Sequence, residues 1–262
     1  MVSIGVIPVG GRGRRLRDVL KGTPKVLFKV YGREILVYPL LSLIASGCRT
    51  IYLITTGLVH NKIKSFIEEV FVEKYINKNY IDINVINVNA EGTAWALYSI
   101  KDYLDEPFIY TNGNIIFDPS YLLRLRIQFY AEKRVKGVLL VSDFIVAPTH
   151  PFISMKENVE DILIPGKLNS QDRLSTEENR YNSLETYILS PELIEYIKRV
   201  PKNAMTMEAL KEAIKEGHLV KAIKYTGFWY HLAEPNDVKL LSKPIIKRKI
   251  IQYAKIIGLK LY

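Results

Sequence analysis

Three glycines near the amino terminus stand among arginines and follow an apolar segment. The segment 4–9 has the composition of a buried strand, and Gly10, Gly11 and Gly13 come directly after it. Glycines this close together let the backbone turn sharply and bring its N–H groups up to a ligand. Residues 12–25 also contain six arginines and lysines, so the loop is suited to binding a polyphosphate.

Two common phosphate-binding motifs do not fit this loop. The dinucleotide-binding fingerprint requires a third glycine where this chain has Leu16, and it requires a helix that Pro24 would interrupt. The P-loop requires Gly-Lys followed by Ser or Thr at the end of the loop, and this sequence lacks that ending. The loop therefore needs another explanation.

The loop and the residues after it resemble the signature of sugar-1-phosphate nucleotidylyltransferases. This family includes glucose-1-phosphate thymidylyl- and uridylyltransferases and mannose-1-phosphate guanylyltransferases. Its signature reads Gly-Gly-x-Gly-Thr-Arg-Leu, followed by Pro-Lys and an apolar strand, and this chain departs from it at Arg14, where the family has threonine. The matching residues are Gly10, Gly11, Gly13, Arg15, Leu16, Pro24 and Lys25. Later motifs extend the resemblance over about residues 3–241.

The resemblance implies roles for the loop and for two later motifs. Arg15 and Lys25 would neutralise phosphate oxygens, and they are the expected catalytic residues. The expected nucleotide-binding residues are Gly10, Gly11, Gly13, Arg14, Glu91, Gly92, Thr93, Asn112 and Gly113. For Gly92 and Thr93, an ordinary helix N-cap is the alternative explanation.

The metal site that the resemblance implies has lost both of its carboxylates. Where the family holds Mg²⁺ with two aspartates, this chain has Asn114 and His231. Mg²⁺ prefers hard oxygen ligands, and an imidazole suits transition metals better. The lysine that would bind the sugar phosphate is also missing, and Lys167 is the nearest substitute. The glycine that the family has in a later strand falls at Thr186.

Two functions from different classes remain open. The first is transfer of a nucleotidyl group from a nucleoside triphosphate to a sugar 1-phosphate, with release of pyrophosphate, as in nucleotide-sugar biosynthesis. The second is a non-catalytic paralogue, a pseudoenzyme that binds a nucleotide or nucleotide sugar and regulates a partner. A nucleoside triphosphate is expected as substrate or ligand in both, whereas Mg²⁺ is in question as a cofactor. Homo- and hetero-oligomers are both left open.

The elements that must position these residues alternate between strands and helices. Strands are predicted at 3–9, 26–30, 50–55, 81–88, 107–111, 137–141, 151–155, 159–163, 184–189 and 219–225, and helices at 35–45, 60–70, 91–103, 120–133 and 207–216. This alternation is typical of βαβ units. We therefore expect an α/β fold with a mixed, mainly parallel, Rossmann-like sheet flanked by helices. The resemblance implies its GT-A-like, nucleotidyltransferase form.

The composition fits a globular protein with a sizeable core. The chain has 262 residues, of which 48% are hydrophobic. No apolar segment approaches the roughly 20 residues that span a bilayer, and the first predicted strand leaves no room for a signal peptide. We therefore expect a cytoplasmic protein. The lone cysteine, Cys48, excludes an internal disulfide.

The net charge of +10 is concentrated in two segments. Residues 12–25 contribute +5 and residues 243–262 contribute +6, so the rest of the chain is about neutral. A nucleic-acid-binding protein usually spreads its charge over a face or stripe, so nucleic acid is not the expected partner.

The carboxyl-terminal segment is predicted to form a basic amphipathic helix. We divide the chain into a nucleotidyltransferase-like domain over residues 1–242 and this helix over residues 243–262. The apolar residues that share one face of the helix are Ile246, Ile250, Ala254 and Ile257. This spacing predicts packing on the domain, and self-association or an acidic partner is the alternative.

Overall fold

The computed structural model describes residues 2–11, 13–75, 80–143, 151–164 and 180–261. Its strands are β1 (Ile4–Pro8), β2 (Lys29–Val30), β3 (Arg33–Glu34), β4 (Thr50–Thr55), β5 (Asp82–Asn87), β6 (Phe108–Thr111), β7 (Ile115–Phe117), β8 (Val135–Ser142), β9 (Phe152–Met155), β10 (Val159–Leu163), β11 (Arg180–Leu189), β12 (Leu219–Lys224) and β13 (Trp229–His231). Its α-helices are α1 (Arg17–Leu20), α2 (Val37–Ala45), α3 (Gly57–Ser65), α4 (Val72–Tyr75), α5 (Thr93–Tyr98), α6 (Ser120–Tyr130), α7 (Thr206–Lys215), α8 (Pro235–Leu240) and α9 (Pro244–Ile256). A π-helical segment covers Phe66–Phe71, and 3₁₀ segments cover Arg14–Leu16, Lys25–Leu27, Lys101–Tyr103 and Pro191–Arg199.

A mixed sheet forms the centre of the molecule. Strands β6, β1, β4 and β5 lie side by side and parallel in that order. Strand β11 joins the edge of β6 in the antiparallel direction and also pairs with β8 and β9. The chain leaves β1 toward β4 on one side and returns to β6 on the other. Ligands bind in open α/β sheets at such a reversal, beside the carboxyl ends of the strands.

Two hydrophobic clusters cover the two faces of this sheet. Helices α2, α6 and α9 contribute buried residues to one cluster, which includes Leu40, Leu122 and Ile250. Helices α5 and α7 contribute to the other, which includes Leu97 and Leu210. Burial of apolar side chains on both faces is what a central parallel sheet requires, so the predicted α/β fold flanked by helices is confirmed.

Most elements match their predicted positions, and one prediction is wrong in a way that affects the site. The sequence predicts a strand over residues 26–30, but Lys25–Leu27 is a 3₁₀ turn and the strand is limited to Lys29–Val30. The amide of Leu27 donates to the carbonyl of Pro24 at 2.8 Å, so local hydrogen bonds replace a strand ladder. This turn determines where the Lys25 side chain lies.

The carboxyl-terminal helix packs on the rest of the chain, as its apolar spacing predicts. Ile250 and Ala254 are buried in the same cluster as α2, and Ile246 packs against that cluster. The helix is shorter than the predicted 243–262 because it ends at Ile256, before Gly258, which has a φ of +72°. No helix in the described part of the chain is long and apolar enough to cross a membrane.

Candidate functional site

The glycine-rich loop runs past the carboxyl end of β1 toward β4. Thr56 donates its hydroxyl to the carbonyl of Gly10 at 2.9 Å, and a Cβ at Gly10 would lie 2.8 Å from the Thr56 methyl group. Gly13 has a φ of +57°, which an L-residue adopts at a cost. Around Gly11, a Cβ would meet no described atom within 4 Å. Packing therefore accounts for Gly10 and conformation for Gly13, and Gly11 is the glycine that a ligand can approach.

The two predicted catalytic cations, Arg15 and Lys25, lie on 3₁₀ turns that follow the glycines of this loop. Arg15 is on the 3₁₀ segment Arg14–Leu16, and its guanidinium donates to the Glu234 carboxylate at 2.9 Å. Both side chains are about half exposed, at 55% and 46%, so the ion pair contributes little stability and can open to a ligand. Arg14 is exposed, and Arg12 lies outside the described residues.

Lys25 is the more buried of the two predicted catalytic cations. Burial lowers the pKa of its ammonium from 10.5 to about 8, because a charged group loses hydration there. Glu185 and Asp237 act in the opposite direction and raise this pKa, while Arg15 lowers it. These effects place Glu185, Arg15 and Asp237 within electrostatic range of Lys25. A partly desolvated ammonium interacts more strongly with phosphate oxygens than one in bulk water.

The segment after β6, which contains the predicted residues Asn112 and Gly113, also lies beside the glycine-rich loop. A Cβ at Gly113 would lie 2.9 Å from the side chain of Val9, so only glycine permits this close approach to the end of β1. Asn112 donates its side-chain amide to the carboxylate of Glu185 on β11. The register places Thr186 opposite Thr111, which brings Glu185 next to the end of β6. The predicted residues Asn112 and Gly113 therefore lie beside the glycine-rich loop.

The two positions of the implied metal site are brought together by strand pairing. His231 on β13 pairs with Ile115 on β7, and Asn114 is the residue immediately before Ile115 in the chain. The amide of Leu232 donates to the Asn114 carbonyl at 3.0 Å, and the Asn114 side-chain amide donates to the Leu232 carbonyl at 2.7 Å. Asn114 is buried, and its side-chain NH₂ group and its main-chain carbonyl both form hydrogen bonds with Leu232.

This donor set does not fit Mg²⁺. An amide oxygen and an imidazole supply no negative charge, and Mg²⁺ requires hard oxygen ligands. Within the described ranges, no three His, Cys, Asp or Glu side chains are grouped so that they could hold a metal ion. The assignment of Asn114 and His231 to a metal stays a prediction, and we derive no chemical step from it.

We expect Asn114→Asp to destabilise the protein by about 2–4 kcal/mol near neutral pH, because a buried carboxylate would face the Leu232 carbonyl without a donor. The folded state would raise the pKa of this carboxyl, so the loss should grow as pH rises from about 4 and shrink in acid, where the protonated group can donate. Urea unfolding of this variant and of the wild type at several pH values measures the loss of stability. The control Asn236→Asp, at an exposed position, should have a free energy of unfolding within about 0.5 kcal/mol of the wild-type value.

The predicted nucleotide contacts at the start of α5 are occupied by the chain itself. The amide of Ala94 donates to the carbonyl of Ala204 at 3.1 Å, and the amide of Thr206 donates to the hydroxyl of Thr93 at 3.1 Å. A Cβ at Gly92 would lie 2.3 Å from the Ala204 oxygen. The helix start and its packing thus account for Gly92 and Thr93 without a ligand. Their contact with a nucleotide stays a prediction, as it does for the exposed Glu91.

Glu185 is the residue of this site that the sequence does not reveal. The resemblance places the family glycine at Thr186, which pairs with Thr111 in the strand. The residue before it, Glu185, has a left-handed backbone with a φ of +49°. The sequence feature that could have pointed to Glu185 is an acidic residue inside the predicted apolar strand 184–189. Lys167, the substitute for the sugar-phosphate lysine, lies outside the described residues.

Comparisons with known proteins give consistent results. The sequence model of the family described as "Nucleotidyl transferase" matches residues 4–152. The catalytic subunit beta of mannose-1-phosphate guanylyltransferase from Drosophila pseudoobscura pseudoobscura is 25% identical over 88% of this chain and 59% of its own length. The bifunctional protein GlmU of Methanocaldococcus jannaschii is 24% identical over 93% of this chain and 54% of its own length. The chain thus spans between a half and three fifths of the length of these relatives.

Solved structures share the whole fold at low sequence identity. The inositol-1-phosphate CTP transferase from T. maritima superimposes with a TM-score of 0.78 at 17% identity, covering 99% of this chain and 98% of its own. The UTP-bound UGPase from Acinetobacter baumannii gives a TM-score of 0.78 at 14% identity, covering 98% and 99%. At these identities the likeness establishes the fold, and the chemistry must be argued from the residues.

Proposed function

This chain belongs to the nucleotidyl transferase family, and from that premise we propose that it transfers a nucleotidyl group from a nucleoside triphosphate to a sugar 1-phosphate. A phosphate oxygen of the sugar 1-phosphate attacks the α-phosphorus. The bond from that phosphorus to the bridging oxygen of the β-phosphate breaks, and pyrophosphate leaves with the electron pair. The attacking oxygen is already ionised near neutral pH, so the step needs no general base. The products are a nucleotide sugar and pyrophosphate.

The work of the protein in such a transfer is positioning and charge neutralisation. Gly11 gives the triphosphate access to the backbone of the loop after β1. Lys25 interacts with the phosphate oxygens, and Arg15 joins it when its exposed ion pair with Glu234 opens. Asn112 and Gly113 form the neighbouring wall of the proposed triphosphate site. We place the reaction in the cytoplasm, where nucleoside triphosphates are plentiful.

The partial burial of Lys25 is the observation that best supports this proposal. The Lys25 ammonium is partly buried beside the open glycine loop, at the carboxyl end of the central strand, with a pKa of about 8. A buried cation without a fully compensating carboxylate partner destabilises a fold, and such groups cluster at functional sites. A bound triphosphate would provide the missing negative charge.

Pyrophosphate release tests the proposed function. We expect the purified protein to release pyrophosphate only when both a nucleoside triphosphate and a sugar 1-phosphate are present, and to form a nucleotide sugar in equal amount. The assay pairs each common triphosphate with glucose, mannose and N-acetylglucosamine 1-phosphates, and chromatography identifies the product. Triphosphate binding without release for every pair would contradict the transfer and support the non-catalytic alternative.

A further inference from the structure

Glu185 holds an unusual backbone conformation inside a strand. Three described residues other than glycine have a left-handed φ, namely Lys21, Tyr31 and Glu185. Lys21 and Tyr31 lie in turns, whereas Glu185 lies within β11, where the pairing with β8 shifts between Ser183 and Tyr187. An L-residue in this region is strained, and such strain persists where the surroundings enforce it, often at functional sites.

The shifted backbone places the Glu185 side chain beside Asn112, where it acts electrostatically on Lys25. Its amide donates to the hydroxyl of Ser183 at 3.1 Å, which stabilises the irregular turn of the strand. Its carboxylate accepts the side-chain amide of Asn112, the first residue after β6. The side chain is half-buried, and it fixes a wall residue of the proposed triphosphate site.

The same carboxylate acts on Lys25. Four effects set the pKa of the Lys25 ammonium: burial and Arg15 lower it, while Glu185 and, more weakly, Asp237 raise it. Asp237 is already engaged, because its carboxylate accepts the amides of Ala233 and Glu234 at the start of α8. Glu185 is thus the larger of the two acidic influences that keep Lys25 charged.

We infer that Glu185 is a positioning residue of this site, whose carboxylate fixes Asn112 and keeps the Lys25 ammonium charged where the triphosphate binds. The inference rests on the proposed function, since it assumes that Lys25 meets phosphate oxygens. Glu185 needs no contact with the substrate for this role. A merely structural role would affect stability alone and would leave the pH dependence of binding unchanged.

The test is triphosphate affinity against pH for the full chain, measured by calorimetry with UTP or GTP, whichever binds the wild type more tightly. Wild-type affinity should fall as pH rises through about 8, where Lys25 loses its proton. Glu185→Gln keeps an acceptor for Asn112 and removes the charge. The midpoint of its affinity curve against pH should move to lower pH than in the wild type, by about half a unit to one unit. Glu185→Asp keeps the charge and should recover most of that shift.

Further variants separate the possible outcomes. Glu192→Gln removes an exposed carboxylate that pairs with Lys136 at 2.8 Å, and its midpoint should match the wild type. Glu185→Gly relieves the left-handed backbone, so it should raise the Tm while weakening triphosphate binding. A midpoint for Glu185→Gln within about 0.2 units of the wild type overturns the inference and leaves the proposed function standing. Absence of triphosphate binding by the wild type overturns both.

Discussion

Replacing Lys25 by methionine should reduce pyrophosphate release by at least about 100-fold, because it removes the partly buried cation that we propose binds the transferring phosphate. Methionine keeps the apolar stem that packs in the turn Lys25–Leu27, so the loss is one of charge. Steady-state release of pyrophosphate at saturating substrates measures the effect on kcat, and triphosphate titration measures the effect on binding. The matched control is Lys29→Met, since the Lys29 side chain is 67% exposed and lies 3.8 Å from Glu34.

The same variant should be more stable than the wild type. The folded pKa of Lys25, about 8, lies below its ordinary value of 10.5, so the folded state disfavours the charged ammonium. Lys25 therefore destabilises the fold below about pH 8, and this penalty disappears as pH rises toward about 10.5. We expect Lys25→Met to gain about 1–3 kcal/mol near neutral pH. A lower Tm for this variant would mean that its inactivity reflects unfolding rather than lost phosphate contacts.

Replacing Gly92 by alanine should cost about 3 kcal/mol of folding stability, because the new Cβ would lie 2.3 Å from the Ala204 carbonyl oxygen. That oxygen belongs to the backbone and accepts the amide of Ala94, so it cannot turn aside as a flexible side chain would. The start of α5 must separate from residues 203–206 to make room. Urea unfolding measures the loss, and a matching drop in Tm should accompany it.

Gly11→Ala provides the control for this substitution. A Cβ there would meet no described atom within 4 Å, so we expect its stability to stay within about 0.5 kcal/mol of the wild type. We expect weaker triphosphate binding instead, since the methyl group would occupy the approach to the loop. Equal destabilisation by the two substitutions would contradict the packing of Gly92 against residues 203–206.

Two of the departures from the family signature, Asn114 and His231, lie where β7 pairs with β13. The glycine loop with Arg15 and Lys25 matches the signature, whereas Asn114 and His231 stand where the resemblance implies carboxylates. The hydrogen bonds of Asn114 to Leu232 give this residue a structural task between β7 and β13. A carboxylate nevertheless lies beside Asn112, contributed by Glu185 on β11.

The sequence by itself determined the fold class, the glycine-rich loop and the family. Alternation of apolar strands and helices fixes an α/β architecture, because each element must bury one face against its neighbours. The loop is readable because its chemistry is local: three glycines and the cations Arg15 and Lys25 stand within sixteen residues. The apolar spacing in residues 244–257 likewise predicts the packing of the last helix.

Only the tertiary structure decided what the residues distant in sequence do. Gly92 and Thr93 match a ligand motif, yet residues 203–206 pack against Gly92 and form hydrogen bonds with Thr93 and Ala94, and no local pattern could reveal that contact. Glu185 reaches Asn112 because an irregular pairing of β11 turns it toward the end of β6. The pKa of Lys25 depends on burial and on charges contributed by three other segments of the chain. Electrostatics and close packing act through space, so they follow the fold and not the order of residues.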